Sequence, residues 1–103
     1  MRPRGRSPRL QEDGLVLVRE VTIINRLGMH ARPAMQFVET ANRFHSSVTV
    51  SRGDKKVNGK SIMEMMLLEA MPGTVLRLEA DGGDAQACLD ALAQLVRDKF
   101  HEK

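Results

Sequence analysis

Apolar residues recur along this chain in two rhythms, every second position in some stretches and every third or fourth in others. Val21-Thr22-Ile23-Ile24 closes a first strand predicted near residues 18–24. Ala34, Phe37, Val38, Ala41 and Phe44 then fall at helical spacing, which predicts a helix near 31–43. Ser47-Val48-Thr49-Val50-Ser51-Arg52 alternates, and Gly53-Asp54 turns it into Lys55-Lys56-Val57-Asn58, so the two segments predict a hairpin. Ser61 begins a short helix in which Ile62, Met63, Met66, Leu67 and Ala70 can share a face until Pro72-Gly73 ends it. Val75, Leu76 and Leu78 mark a last strand, and Ala85, Cys88, Leu89, Leu92, Leu95, Val96 and Phe100 predict the longest helix. The order strand, helix, strand, strand, helix, strand, helix is an α+β pattern. Three amphipathic helices need an apolar surface, and one face of a four-stranded sheet supplies it, giving an open-faced two-layer sandwich.

A length of 103 residues and 42% apolar content suit one modest core and no second domain. With three Phe and no Tyr or Trp, aliphatic residues and seven Met must fill it. The net charge of +3 suggests a nucleic-acid binder until its location is considered. Arg2, Arg4, Arg6 and Arg9 lie in the first fourteen residues, and without them twelve basic face thirteen acidic residues. Residues 10–103 therefore carry a net charge of −1, and the basic balance belongs to a tail whose Pro, Gly and Arg content predicts disorder over 1–14, ahead of one domain at 15–103. No apolar run reaches the roughly 18–20 residues that span a bilayer, the basic N-terminus has no apolar signal core, and a single Cys88 forms no internal disulfide. These point to the cytoplasm and to no membrane partner. Cys88, on an apolar helix face, is expected to be a buried inert thiol.

The chemistry concentrates where the first strand meets the first helix, in Gly28-Met29-His30-Ala31-Arg32-Pro33-Ala34. Gly28 permits a turn that a Cβ would obstruct, and Pro33 suits the first helical turn, where backbone amides have no intrahelical partner. Those amides and the helix dipole favour an anion beside His30, and Arg32 can add a charge-assisted hydrogen bond to its oxygens. The imidazole supplies a nitrogen able to attack phosphorus. The bland alternative is that His30 caps the helix and Arg32 is a solvated charge. His45 and His101 have no companions at ligand spacing, so no metal is expected.

These residues resemble the active-site signature of HPr, the histidine-containing phosphocarrier family of bacterial phosphotransferase systems. Asn58-Gly59-Lys60-Ser61-Ile62-Met63 is similar to the family's second signature, and Pro72-Gly73-Thr74 to the turn before its last strand. The similarity spans about residues 19–100. Asn25 to Met35 also resembles the nitrogen-related branch, whereas Lys60 to Met63 looks more like the sugar branch, and both remain open. The resemblance implies an antiparallel sheet with the helices on one side and a histidine phosphorylated at Nδ1. It implies phosphoryl transfer from phospho-enzyme I to His30 and on to an enzyme IIA-type acceptor, with Arg32 neutralising charge and Gly28, Ala31 and Pro33 shaping the site. No cofactor is implied beyond the covalent phosphoryl group, and the protein would act as a monomeric relay rather than a stand-alone enzyme.

Ser61-Ile62-Met63-Glu64 has two readings. One is a capping box, in which Ser61 accepts from the amide of Glu64 while Glu64 reaches back to the amide of Ser61. The other, implied by the resemblance, is phosphorylation of Ser61 by an HPr serine kinase/phosphorylase; family members with the regulated serine usually have a small residue where Glu64 stands, and a carboxylate one turn away would oppose the phosphate. The resemblance also makes Ile62, Met63 and Met66 a docking patch, and methionine surfaces adapt to several partners. Two rivals remain: an RNA-binding βαββαβ module, which lacks strand aromatics for base stacking because all three Phe fall in predicted helices, and a purely regulatory protein acting through Ser61.

Overall fold

A computed structural model describes residues 16–102; the tail expected over 1–14 lies outside them, as do the two ends of the expected 15–103 domain. The chain forms strand β1 at Val16–Thr22, helix α1 at Ala31–Ala41, β2 at Ser47–Arg52, β3 at Lys55–Asn58, α2 at Ile62–Leu67, β4 at Val75–Asp81 and α3 at Ala85–Arg97, followed by one tight turn at Lys99–His101. Every pairing is antiparallel, in the order β1-β4-β2-β3. The fold is the predicted open-faced sandwich: a four-stranded antiparallel sheet with three helices.

Strand alternation decides which face is covered. Val48 and Val50 of β2 and Leu76, Leu78 and Ala80 of β4 point inward and are buried, while Val16, Val18 and Val75 point the other way and are exposed. The inward set meets Ala34, Phe37, Val38 and Ala41 of α1 and Cys88, Leu89, Leu92 and Val96 of α3 in one core. Cys88 is fully buried, and burial pushes its thiol pKa up, in keeping with an inert role.

Three expectations are corrected. The first strand begins at Val16 and ends at Thr22, because pairing with β4 runs from Val16 opposite Asp81 to Thr22 opposite Val75. Helix α1 stops at Ala41, so Phe44 lies beyond it, half-buried against the core; none of the three Phe sits on a strand. In α2 the inward residues are Met65 and Leu68, both fully buried, whereas Ile62, Met63, Met66 and Leu67 of the expected shared face are exposed. The helix has only six residues, and Glu69 at φ 51° ends its regular geometry, so a single i, i+3 pair is all it can turn inward. Ala70 is buried as predicted.

Candidate functional site

The loop from Ile23 to His30 is fastened at both ends. The Ile23 amide donates to Thr74 O at 2.9 Å and the Gly73 amide to Ile23 O at 2.7 Å. The Met29 amide then donates to Ala70 O at 2.8 Å, tying the residue before His30 to the segment that leaves α2. Gly28 makes this crossing possible. Its φ is +72°, and a Cβ there would sit 2.6 Å from Ala70 O.

His30 occupies the N-cap position of α1 in extended backbone, φ −103°, and its side chain makes no capping hydrogen bond. Capping therefore does not account for the imidazole, which is 42% exposed. Ala34 is the residue whose amide bonds back to His30 O, at 3.0 Å. Ahead of it Pro33 has no N–H, and the amides of Ala31 and Arg32 fall in the turn that helix geometry leaves without intrahelical acceptors. Pro33 is buried, holding the helix start against the core, while Ala31 and Arg32 are exposed. The first turn carries no acidic residue to compete for those donors.

Beside this helix start lies a cleft of about 360 Å³ lined by Leu27, His30, Arg32, Pro33, Phe100, His101 and Glu102. His30, Arg32 and Pro33 come from the motif that the sequence marks, whereas the far wall comes from the turn after α3, which no sequence signal marks. Phe100 continues the spacing of the α3 face but lies beyond the helix, where the chain reverses: Lys99, Phe100 and His101 all have φ between 53° and 58°. Glu102 had no periodic or motif signal at all. Its carboxylate accepts from the Arg26 amide at 2.7 Å and from Asn25 Nδ2 at 3.1 Å. Asn25 is fully buried and donates also to Gly28 O at 2.8 Å. That Asn25 donation, with help from the Arg26 and Leu27 amides and against partial desolvation, holds the Glu102 carboxyl below the usual range.

The second sequence signature lies on α2. Ser61 Oγ accepts from the Glu64 amide at 3.2 Å, the first half of the capping box. The return half is not formed. Glu64 Oε1 takes the Asn58 amide at 2.9 Å, and the Ser61 amide goes to Asn58 O at 3.1 Å. Glu64 thus locks the end of β3 to α2. Ile62, Met63 and Met66 are exposed, Met63 at 80%, and Leu67, Met71 and Met35 add further exposed apolar surface.

A helix headed by an accessible histidine, on an open antiparallel sandwich, is the arrangement that the sequence resemblance to phosphocarriers implies. Comparisons with known proteins agree. A family model described as PTS-HPr, the PTS HPr component phosphorylation site, matches residues 17–98. The phosphocarrier protein HPr of Neisseria meningitidis serogroup A is 46% identical over 87 residues, which cover 84% of this chain and 98% of that protein. The crystal structure of HPr-C-His from Thermoanaerobacter tengcongensis superposes with a TM-score of 0.81 at 42% identity, covering 84% of this chain and 98% of that one. A crystal structure of an HPr dimer from the same organism gives 0.68 at 45% identity, over 80% and 94% of the two chains. The chain belongs to the HPr family of the phosphotransferase system. Among the described residues no helix is long and apolar enough to cross a membrane.

Proposed function

We propose that His30 accepts a phosphoryl group from phospho-enzyme I and passes it to an enzyme IIA-type acceptor. The observation that carries this reading is the exposed imidazole at the start of α1, free of any capping bond and sharing a cleft with Arg32. Phosphoryl transfer asks the protein chiefly for positioning and charge neutralisation. The Ala31 and Arg32 amides and the dipole of α1 would hold phosphoryl oxygens, and the Arg32 guanidinium would balance their charge. Gly28 and Pro33 fix the backbone, and Ala31 leaves room beside the ring. The group resides on the protein covalently, and no other cofactor has a part in the cycle. The exposed Ile62, Met63 and Met66 are the proposed partner contact, and the carrier is proposed to act as a monomer in the cytoplasm, with sedimentation at micromolar concentration as the check.

Incubation with phosphoenolpyruvate and enzyme I should label the wild type with acid-labile phosphate and leave His30→Ala unlabelled. Labelling of His30→Ala at the wild-type level would refute the assignment. Arg32→Ala should stay folded and take up phosphate more slowly.

Ser61 is proposed as a second modification site, on the strength of the family resemblance. Phosphate there would suit the N-terminus of α2, though it would displace the Glu64 amide from Ser61 Oγ and stand near the Glu64 carboxylate. Incubation with an HPr serine kinase tests it. The accessible His30 favours the carrier over a purely regulatory protein acting through Ser61 alone.

A further inference from the structure

Glu102 is remote from His30 in sequence, yet the left-handed turn at Lys99–His101 swings the chain back from α3 to the loop ahead of α1. One carboxylate oxygen takes the Arg26 amide. The other, Oε2, takes Asn25 Nδ2 and lies 3.8 Å from His30 Nε2. The Glu102 side chain is 18% exposed, so it is fixed more firmly than the ring it faces. Asn25, which anchors it, also holds Gly28 O. One buried amide therefore sets both the turn before His30 and the carboxylate beside it.

We propose that Glu102 is a positioning residue that keeps the His30 ring proton on Nε2 and leaves Nδ1 as the attacking nitrogen. A neutral imidazole carries one N–H and one lone pair, and the partner facing each nitrogen decides which is which. A carboxylate opposite Nε2 favours the N–H there, since a lone pair in that place would face a negative charge. At 3.8 Å the two atoms face each other just beyond hydrogen-bond distance. The ring is exposed enough to turn toward the carboxylate when a substrate group settles on its other side.

For the reaction, this inference rests on the phosphocarrier reading. The Nδ1 lone pair forms the new N–P bond while the bond from phosphorus to the donor's nitrogen breaks, and that electron pair returns to the donor. The Nε2 proton stays in place, so the ring gains a positive charge that Glu102 faces. In the onward step the acceptor attacks phosphorus and Nδ1 recovers its electron pair. Arg32 and Glu102 thus divide the cleft between them, one opposite the phosphoryl oxygens and the other opposite the ring.

Nitrogen-15 NMR of the imidazole in the unphosphorylated full chain, above neutral pH, tests this directly. The expected result is a proton on Nε2 in the wild type; a proton on Nδ1 would overturn the proposal without any variant. Glu102→Gln removes the charge and, with its oxygen kept on the Arg26 amide, turns an N–H toward the ring at the cost of the Asn25 Nδ2 bond, so the proton should move to Nδ1. Phosphoryl uptake from phospho-enzyme I should then slow on the order of tenfold, the factor a unit charge at that separation supplies in a mostly aqueous dielectric. A Glu102→Gln chain with the proton still on Nε2, or with wild-type uptake, overturns the proposal. Backbone amide shifts of residues 25–30 show whether the loop has kept its fold, and wild-type-like shifts together with the moved proton support a role beyond structure. Failure of the wild type to take up phosphate would sink the carrier reading instead, and the tautomer measurement would still judge Glu102.

Discussion

Replacing Gly28 by alanine separates two costs that the structure assigns to different positions. Gly28 and Gly53 both have left-handed backbone, φ +72° and +57°. A Cβ at Gly53 would meet nothing within 4 Å, whereas at Gly28 it would lie 2.6 Å from Ala70 O and 3.2 Å from Met71 Cα. Alanine at 53 therefore carries only the conformational penalty, about 1 kcal/mol. Alanine at 28 carries that penalty and must also push two backbone segments apart, lengthening or breaking the Met29–Ala70 hydrogen bond. Adding about 1–3 kcal/mol for steric strain and the weakened bond gives a total of about 2–4 kcal/mol for Gly28→Ala. Urea unfolding of both variants measures the difference directly, and in thermal unfolding each kcal/mol corresponds to roughly 4–8 °C for a domain of this size. Because the displaced segment leads straight into His30, Gly28→Ala should also slow phosphoryl uptake, while Gly53→Ala should not. Equal destabilisation of the two variants, within about 0.5 kcal/mol, would show that the close approach to Ala70 is not a constraint.

Other outcomes follow from the core, the cap and the acid end of the pH range. Met65→Ala should cost about 2–5 kcal/mol in denaturant unfolding and Met63→Ala about 0.5 kcal/mol or less, since the first empties a fully buried position and the second an exposed one; if Met63 belongs to the partner contact, its loss should appear as a raised KM for enzyme I. Ser61→Ala should cost about 1 kcal/mol through the lost N-cap, read from the same unfolding curves. Asp84 accepts from Ser46 Oγ and from the His45 and Ser46 amides, the Ser46 hydroxyl contributing most, and its pKa falls from 3.8 to about 2. A carboxyl depressed in the folded state contributes stability above its unfolded pKa and loses it as pH falls through the folded value. Asp84→Asn should therefore flatten the stability profile between about pH 4 and pH 2, and an unchanged profile there would refute the role given to this contact.

The legible parts of this chain were those in which side-chain period and local chemistry coincide. Val48 and Val50 gave β2, the 85–96 spacing gave α3, and Gly28 through Pro33 marked a strand-to-helix junction that the structure indeed builds as a helix headed by His30. Boundaries moved where tertiary partners overrode the local pattern: β4 extends β1 back to Val16, and a left-handed Glu69 cuts α2 short and turns Met65 inward. Glu64 reads as half of a capping box in sequence but finds a better partner in the Asn58 amide, which the hairpin brings to it. The far wall of the cleft was illegible because Phe100 continues the α3 spacing, and nothing local announces three successive left-handed residues. Glu102 reaches the His30 loop only through that reversal.

The sheet order has a consequence for how the molecule comes into being. Within the described sheet β1 borders only β4, so β1, though synthesised early, waits until Asp81 has been made before its pairing is complete. The loop holding His30 waits longer still, since Ala70 and then Glu102 must arrive to fasten it. A nascent or prematurely terminated chain would thus present His30 on a loop that neither Ala70 nor Glu102 has yet fastened.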